Sequence, residues 1–218
     1  AQRDLGLLCE FIGSADIEQI TMTPSCIPTL VAVGRDKLRG VRRWIFSGEE
    51  LRRSWLTKIR SACPRAVIIN SYGSTEVCGD VTHFVLAPDE PVPDIVPIGR
   101  PAEGVKVRMD AFDGTALVEP RASRHGELWV GGSQVAHGYI PAGDSEQARF
   151  ELALGDRWFR TGDIVAEAEG QFYYLGRTDD HHKVRGRRIS LSGVAEALET
   201  VDGVAQAHAW ISEVHGVS

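Results

Sequence analysis

The chain has 218 residues, of which 43% are hydrophobic and 25% are charged, proportions that are ordinary for a soluble globular protein with one or two domains. Its formal net charge of −6 argues against a nucleic-acid partner, because binding to a phosphate backbone normally needs a basic surface. No apolar run reaches the roughly 20 residues that cross a bilayer and no secretion signal is visible, so we expect no membrane partner either.

The first part of the chain alternates between helical and strand patterns. Leu5, Leu8 and Ile12 belong to a run of apolar residues at near-helical spacing, so the chain is predicted to begin inside a helix. Its first residue is alanine, which suggests a larger parent protein. Strands are then predicted at residues 17–23, 41–47 and 66–70, and helices at residues 24–33 and 49–62. This alternation predicts an α/β fold in which helices cover a parallel sheet.

From residue 96 the pattern changes to short alternating segments separated by Gly, Pro and Asp turns. Strands are predicted at residues 105–109, 117–119, 127–131, 163–168 and 172–175. They indicate a mainly antiparallel β subdomain. After Asp179 a small α+β C-terminal domain is predicted to start, with strands at residues 182–184 and 204–211 and a helix at residues 191–201. The predicted units are an α/β layer (1–95), a β subdomain (96–178) and the truncated small domain (179–218).

The most informative segment is Ser71-Tyr72-Gly73-Ser74-Thr75-Glu76, which follows the predicted strand at residues 66–70. The strand position matters because ligands of α/β sheets gather at the carboxyl ends of strands. We interpret the segment as a turn with the groups that a nucleotide site needs: a ring for the base, hydroxyls and amides for phosphate oxygens, and a carboxylate for Mg²⁺, which prefers oxygen ligands. Taken alone, it could equally be an ordinary strand exit.

Three further segments follow it along the chain. They are Gly126-Glu127-Leu128-Trp129-Val130-Gly131-Gly132 with Val135-Ala136-His137-Gly138-Tyr139, then Trp158-Phe159-Arg160-Thr161-Gly162-Asp163-Ile164, and last Tyr174-Leu175-Gly176-Arg177-Thr178-Asp179 with Lys183-Val184-Arg185-Gly186-Arg187-Arg188-Ile189. In order and approximate spacing the four segments resemble the adenylate-forming superfamily of acyl-CoA synthetases, luciferases and adenylation domains of nonribosomal peptide synthetases. The resemblance covers essentially the whole chain, and residues 1–178 correspond to the C-terminal part of the large adenylation domain.

Two stretches narrow the resemblance. Residues 75–82 and 96–101 look closest to Ebony-type β-alanyl amine synthetases, a branch of the peptide-synthetase-like adenylation domains.

The resemblance implies a role for each residue of the first segment. Tyr72 would pack on adenine, Thr75 would contact phosphate oxygens and Glu76 would hold Mg²⁺, while Ser71, Gly73 and Ser74 complete the nucleotide loop. Alternatives remain open, since Glu76 could be an acid at a helix start and Tyr72 could be a core aromatic residue.

Two later residues are implied to bind the ribose. Asp163 is placed just after a turn at the start of a strand, and it resembles the aspartate that accepts hydrogen bonds from both ribose hydroxyls. Arg177 matches an arginine that is also directed at the ribose, where its fixed fork of donors suits paired oxygens. A turn-capping aspartate and a surface ion pair are the respective alternatives.

Alignment with peptide-synthetase domains assigns six residues to the wall of an acid-binding pocket. They are Thr21, Ile45, Ser47, Ser71, Gly79 and Asp80. We expect Asp80 to pair with a substrate ammonium, because a buried charge requires a partner; the alternative is an exposed loop aspartate. The set resembles the pocket of β-alanine-activating domains.

The C-terminal end is matched less well. Asp179 corresponds to the family's hinge, a loop position that absorbs a backbone change, but the residues after Gly186 depart from the family pattern. The adjacent His181 and His182 are not expected to bind one metal together, because neighbouring strand residues point to opposite faces. The Pro-Lys-Gly phosphate loop and the terminal Gly-Lys segment of the family are absent, so we expect these residues alone to be nearly inactive.

The resemblance implies an adenylate-forming ligase that uses ATP and Mg²⁺ to activate a small carboxylic or amino acid and passes the acyl group to a pantetheine thiol of a carrier domain or CoA. The alternatives are an acyl-CoA synthetase and a non-catalytic nucleotide-binding module, because fold alone does not fix function.

The four cysteines, Cys9, Cys26, Cys63 and Cys78, show no metal-ligand spacing. Reduced thiols are therefore expected, which favours a cytoplasmic protein. No sequence feature supplies Cys78 with a base, so a nucleophilic role is not expected.

Overall fold

The structure is a computed structural model that describes residues 4–111, 124–140, 147–153, 155–178, 181–184 and 187–190, together with seven single positions between 194 and 209. Within the first of these ranges, the α-helices are α1 (Leu5–Ser14), α2 (Ile27–Gly34) and α3 (Arg53–Ala62). The three helices that the sequence predicts before residue 66 are confirmed. The third begins a few residues later than expected, because its first turn starts only after the extended residue Arg52.

The first sheet has five strands. In chain order they are β1 (Gln19–Met22), β2 (Arg43–Phe46), β3 (Val67–Ser74), β4 (Gly79–Leu86) and β5 (Arg100–Pro101). Their spatial order is β1-β2-β3-β4-β5; the first three are parallel, whereas β4 and β5 are antiparallel to their neighbours. The predicted parallel sheet is therefore confirmed for β1 to β3, and the complete sheet is mixed.

The helices bury one face of this sheet. Trp44, Phe46 and Ile68 point toward them and are almost inaccessible to solvent, and the rings of Trp44 and Phe46 are stacked with their centroids 5.9 Å apart. Because successive strand residues face opposite sides, the paired residues Thr21 and Ile45 belong to the other face. The predicted pocket residues on β1 and β2 therefore lie on the side of the sheet that faces away from the helices.

The second sheet is antiparallel throughout. Its strands are β6 (Lys106–Asp110), β7 (Arg124–Gly131), β8 (Phe150–Ala153), β9 (Asp156–Ala168) and β10 (Gln171–Arg177). The spatial order is β10-β9-β7-β6. The strand β8 pairs with the first residues of β9. The predicted antiparallel strand arrangement is confirmed. The strand β8 was not predicted, and the strand expected at residues 117–119 lies outside the described residues.

The two sheets are joined by backbone hydrogen bonds and by a shared core. The amide of Ile98 donates to the carbonyl of Phe172 at 2.8 Å, and the amide of Phe172 donates to the carbonyl of Gly99 at 2.9 Å. Gly99 has a φ of +91°, and a Cβ there would overlap the carbonyl group of His83, so this crossing requires glycine. Val77 and Val81 from the first sheet region pack in one cluster with residues of the second sheet. The turn at residues 75–78 is thereby held against the second sheet.

The last described elements are β11 (His181–Val184) and β12 (Arg187–Ser190), which form an antiparallel hairpin. The strand predicted at residues 182–184 is confirmed, and the second strand of the hairpin was not predicted. Asp179 lies outside the described residues, as does most of the helix and the strand predicted after residue 190. The division into domains stays a prediction. Within the described ranges, no helix has both the length and the hydrophobicity needed to cross a membrane.

Candidate active site

The segment from Ser71 to Glu76 differs from its predicted form. The turn expected directly after residue 70 is wrong, because β3 continues to Ser74 and the chain turns only at a short 3-10 turn, Thr75–Val77. The continuation is stabilised by pairing with β4. Ser71 to Ser74 therefore belong to the sheet, whereas Thr75 is exposed at its end.

A bulge reshapes this strand end. The register of β3 and β4 shifts between Tyr72 and Gly73, and a Cβ at Gly73 would overlap the carbonyl oxygen of Gly79. Such a close backbone approach is possible only for glycine. After the turn, Cys78 adopts a left-handed conformation with a φ of +61° and Gly79 one of +104°. Bulges redirect the side chains around them, and this one lies beside Tyr72.

Asp163 also differs from its predicted setting. It was expected at the start of a strand, but it lies in the middle of the 13-residue strand β9. Gly162 has a φ of +77°, and the register of β7 and β9 shifts at this point, between Glu127 and Trp129. Gly162 therefore marks a strand bulge rather than a strand boundary, and the turn-capping alternative for Asp163 is wrong.

Tyr72, Asp163 and Arg177, which we call the Asp163 cluster, lie together. Arg177 is the cross-strand partner of Asp163 on β10, and its Nη1 donates to Oδ1 of Asp163 at 2.5 Å. The hydroxyl of Tyr72 donates to Oδ2. Since the Asp163 and Arg177 side chains are each only 9% exposed, the surface ion pair considered for Arg177 is wrong. The structure thus brings three predicted residues from three strands into one buried cluster.

The electrostatics of the cluster favour a neutral phenol. Burial raises the pKa of the Tyr72 phenol well above its ordinary value, and the neighbouring Asp163 carboxylate raises it further by its charge and by the hydrogen bond. A buried phenolate beside a carboxylate is unfavourable. Tyr72 therefore acts as a hydrogen-bond donor to Asp163 at neutral pH, while its ring packs against the second core cluster.

Thr161 supports the cluster through three hydrogen bonds, although no role was predicted for this residue of its motif. Its hydroxyl donates to the carbonyl of Leu128 at 2.7 Å and accepts the backbone amide of Asp163 at 3.0 Å. Its carbonyl accepts Nη2 of Arg177 at 3.1 Å. These bonds fix the main chain at the bulge, so the Asp163 carboxylate has a defined direction before any ligand binds.

Glu76 is buried, with 8% of its surface exposed. Its Oε1 accepts the hydroxyl of Tyr139 at 2.5 Å, and its carbonyl accepts the amide of Ala136 at 2.8 Å. Glu76 lies in the first turn of a three-residue 3-10 helix that is followed by β4, so it is an acid at the start of a short 3-10 turn and not of an α-helix. The sequence did not identify Tyr139, although it lies in the glycine-containing loop after β7.

The two carboxylates are linked through one short segment. Tyr72 on β3 donates to Asp163, and Glu76 follows four residues later in the 3-10 turn after that strand. Tyr72 and Val77 both pack on the second core cluster, together with residues of β7, β9 and β10. Asp163 and Glu76 are therefore connected through residues 72–76 and through the packing of Tyr72 and Val77 on this cluster.

The residues around Glu76 fit a magnesium ion that arrives with a nucleotide. Among the described residues, no group of three or more His, Cys, Asp or Glu side chains is arranged to hold a metal ion. Mg²⁺ is commonly bound by one or two carboxylates plus substrate phosphates, without an all-protein cage. In addition, the Ser74 hydroxyl is buried and has no hydrogen-bond partner in the structure. A single buried carboxylate such as that of Glu76 is compatible with this mode of binding.

The predicted pocket wall, defined as Thr21, Ile45, Ser47, Ser71, Gly79 and Asp80, is partly brought together. The Ser47 hydroxyl donates to Oδ1 of Asp80 at 2.5 Å, across β2 and β4. Asp80 begins a strand rather than lying in a loop, but it is exposed, so the burial that was assumed for it is wrong. Ser71 is buried, and its hydroxyl lies 2.9 Å from Nδ1 of His83, a neighbour that the sequence did not indicate.

Comparison with known proteins identifies the family of this chain. The profile of a family described as AMP-binding enzyme matches residues 1–140. The AMB antimetabolite synthetase AmbB of Pseudomonas aeruginosa is 35% identical over 209 residues, which are 91% of this chain and 16% of that protein. The chain therefore spans only a small part of such relatives.

Two solved structures are also similar. The structure of holo-PA1221, an NRPS protein containing adenylation and PCP domains, matches with a TM-score of 0.81 and 28% identity, covering 93% of this chain and 36% of that one. The Vibrio cholerae adenylation domain AlmE, in complex with glycyl-adenosine-5'-phosphate, matches with a TM-score of 0.74 and 25% identity, covering 92% and 39%. The chain belongs to the AMP-binding, adenylate-forming enzyme family, and the proteins it resembles include adenylation domains of nonribosomal peptide synthetases.

Proposed function

We propose that the complete protein activates a small amino acid with ATP and Mg²⁺. The carboxylate of the acid attacks the α-phosphate, which gives an aminoacyl adenylate and releases pyrophosphate; a pantetheine thiol then takes the acyl group and releases AMP. The observation that carries this proposal is the link between the Asp163 cluster and Glu76 through residues 72–76. It supports one site that would offer groups for a base, a sugar and a metal-bound phosphate.

The roles proposed for the nucleotide follow from the chemistry of each side chain. Asp163 is an acceptor-only carboxylate when ionised, which suits two ribose hydroxyl donors, and Arg177 fixes its direction through a buried ion pair. Thr75 offers an exposed hydroxyl to phosphate oxygens. Tyr72 provides a ring at the same strand end for adenine, with Ser71, Gly73 and Ser74 shaping the strand around it.

Glu76 is the proposed metal ligand. When bound, Mg²⁺ would neutralise charge that develops on the α-phosphate during the attack. The chain contributes a buried carboxylate whose direction is set by a hydrogen bond and whose main chain is tied to the loop after β7.

The substrate proposal rests on Asp80. The Asp80 carboxylate, which accepts the Ser47 hydroxyl, offers a partner for a substrate ammonium, and the remaining wall residues apart from Ile45 are small. A similar protein, AlmE, is bound to glycyl-adenosine-5'-phosphate, which supports a small amino acid. The resemblance to Ebony-type β-alanyl amine synthetases favours β-alanine as the acid. In β-alanine the amine lies one carbon farther from the carboxylate than in an α-amino acid.

The acceptor is proposed to be a carrier-domain pantetheine, because a similar protein contains adenylation and PCP domains. Free CoA is the alternative acceptor and would make the protein an acyl-CoA synthetase. Asp179 is proposed as the hinge between the two half-reactions. The 218 residues alone are expected to show almost no turnover.

ATP–pyrophosphate exchange by the complete protein tests the proposal. The panel would contain β-alanine, glycine, alanine and propionate, the last as the acid without an amine. We expect exchange with β-alanine or glycine and almost none with propionate. Exchange with propionate alone would reject the assignment of Asp80, and nucleotide binding without exchange for a broad panel of acids would favour a non-catalytic module.

A further inference from the structure

We infer that Tyr139 is a positioning residue for Glu76, and this inference rests on the proposed role of Glu76 as a magnesium ligand. The phenol hydroxyl donates to Oε1 of Glu76 at 2.5 Å, across 63 positions of the chain. The contact is therefore tertiary, and it joins the turn after β3 to the loop after β7.

Tyr139 is itself held in place. Its ring makes an edge contact with Phe150, with centroids 5.4 Å apart and planes at 75°, and Phe150 packs at 5.0 Å on the buried ring of Phe159. Its backbone amide donates to Oε1 of Gln147 at 3.3 Å. The phenol thus projects from an ordered aromatic stack rather than from a loose loop end.

The same loop holds Glu76 at two places. The amide of Ala136 fixes the main chain of Glu76 at 2.8 Å, and Tyr139 fixes its side chain. A glutamate side chain otherwise loses considerable rotamer freedom when it binds a metal. With the hydroxyl bond in place, the carboxylate has one direction before the metal and nucleotide arrive.

A phenol is well suited to this task. It is neutral, so it orients the carboxylate without cancelling the negative charge that a cation needs, and hydrogen bonds to an ionised acceptor are stronger than neutral ones. Hydrogen-bond partners of metal-binding carboxylates typically contribute 10- to 100-fold to metal affinity or activity. The effect of removing the hydroxyl should fall in that range.

The test replaces Tyr139 by phenylalanine in the complete protein, which removes the hydroxyl and keeps the ring contact with Phe150. Metal binding is measured by electron paramagnetic resonance with Mn²⁺ and a non-hydrolysable ATP analogue. Metal-free binding of AMP and the melting temperature are measured beside it. We expect Mn²⁺ affinity to fall about tenfold or more. The AMP affinity should stay within about twofold of the wild-type value, and the melting temperature within about 2 °C.

Two further variants separate the possible causes. Phe150→Leu loosens the aromatic stack but keeps the Tyr139 hydroxyl, and it should change Mn²⁺ affinity less than Tyr139→Phe. Glu76→Gln should lower Mn²⁺ affinity more than either. In exchange assays, Tyr139→Phe should raise the Mg²⁺ concentration for half-maximal rate and leave the KM of the amino acid unchanged.

The outcomes distinguish the inference from the proposed function. If Glu76→Gln lowers Mn²⁺ affinity and Tyr139→Phe does not, Tyr139 is only a packing residue and the inference is wrong. If neither variant changes Mn²⁺ affinity, Glu76 is not a metal ligand, and both the inference and the metal role of the proposed function are rejected. An equal fall in Mn²⁺ and AMP affinity for Tyr139→Phe would also overturn the inference, because it would indicate general disturbance of the site.

Discussion

The Asp163 cluster and the pocket wall meet on β3, but they differ in burial and in bonding. Tyr72, Asp163 and Arg177 bond to one another in a setting from which water is largely excluded. In the pocket wall, Asp80 accepts a hydrogen bond from Ser47, but Asp80 and Thr21 are both exposed to solvent. Buried, mutually bonded residues couple ligand binding to folding, whereas exposed ones change with little effect on stability. The proposed nucleotide site should therefore tolerate little change, and the proposed acid site should tolerate much.

The largest effect is expected for Asp163→Ala. The substitution leaves the Arg177 guanidinium in a buried position without its carboxylate, which typically reduces the free energy of unfolding by about 3–5 kcal/mol. Urea denaturation of the complete protein, followed by tryptophan fluorescence, would measure it. Nucleotide affinity should fall in the same variant.

Lys106→Ala is the control for Asp163→Ala, because it removes an ion pair that is exposed rather than buried. Lys106 and Asp156 form an ion pair of the same length, 2.5 Å, but the lysine side chain is 55% exposed. Exposed pairs typically contribute about 0–1 kcal/mol. Similar small losses in the two variants would contradict the view that burial makes the Asp163 cluster essential for the fold.

The next largest effect is expected in the pocket wall, where a substitution should change the KM of the amino acid without changing the stability of the protein. Asp80→Asn removes the charge that is proposed to bind the substrate ammonium, and hydrogen bonds to charged groups contribute about 1.5–3 kcal/mol. We expect the KM of the amino acid in exchange assays to rise about 10- to 100-fold, with the KM of ATP and the free energy of unfolding unchanged. Asp89→Asn, at another exposed position, serves as the control. An equal rise in both KM values would reject the assignment.

A smaller loss of stability is expected at the bulge that lies between the two regions. Gly73→Ala would place a Cβ on the carbonyl oxygen of Gly79, and forcing atoms into a packed site typically lowers stability by about 1–3 kcal/mol. Gly40→Ala is the control, since a Cβ there has nothing within 4 Å. Urea denaturation of both variants gives the comparison, and indistinguishable midpoints would show that β3 and β4 can separate at this point without loss.

These contrasts also explain what the sequence could predict of the fold. The strands β1, β2 and the start of β3 are apolar runs between helical segments, so local periodicity was sufficient. The strand β4 was missed because Gly79 and Asp80 at its start are typical turn residues, and the strand is stabilised by pairing with β3. The early start of β9 was missed for the same reason: Gly162 has the signature of a turn, but the neighbouring strands hold it as a bulge.

The site shows the same division. The order of the four segments along the chain predicted which residues are candidates for the site. It did not predict which side chains surround each of them. The contacts of Tyr139 with Glu76 and of His83 with Ser71 depend on how distant segments pack, and no short motif encodes them. The exposure of Asp80 at the start of β4 likewise is not revealed by a residue pattern alone.

The smallest effect is expected in alkaline solution and would sharpen the description of the Asp163 cluster. The folded protein raises the pKa of Tyr72 above the value of about 10 that it has in an unfolded chain. The native state therefore holds the phenolic proton more tightly, so this contribution to stability is complete below about pH 10 and is lost as the pH rises toward the folded pKa.

Tyr72→Phe removes the contribution of this phenol to the pH dependence of stability. Wild-type stability should fall more steeply than that of the variant above pH 10, by at most about 1.4 kcal/mol per pH unit, while the difference between the two proteins stays constant from pH 7 to 9. Urea denaturation at a series of pH values measures both curves, and the titration of lysines cancels in their difference. Parallel curves through pH 11 would mean that the phenol is not held against Asp163 in solution. A steeper fall for the wild type would indicate that the same buried carboxylate that is proposed to bind ribose already shapes the titration of its neighbour in the absence of nucleotide.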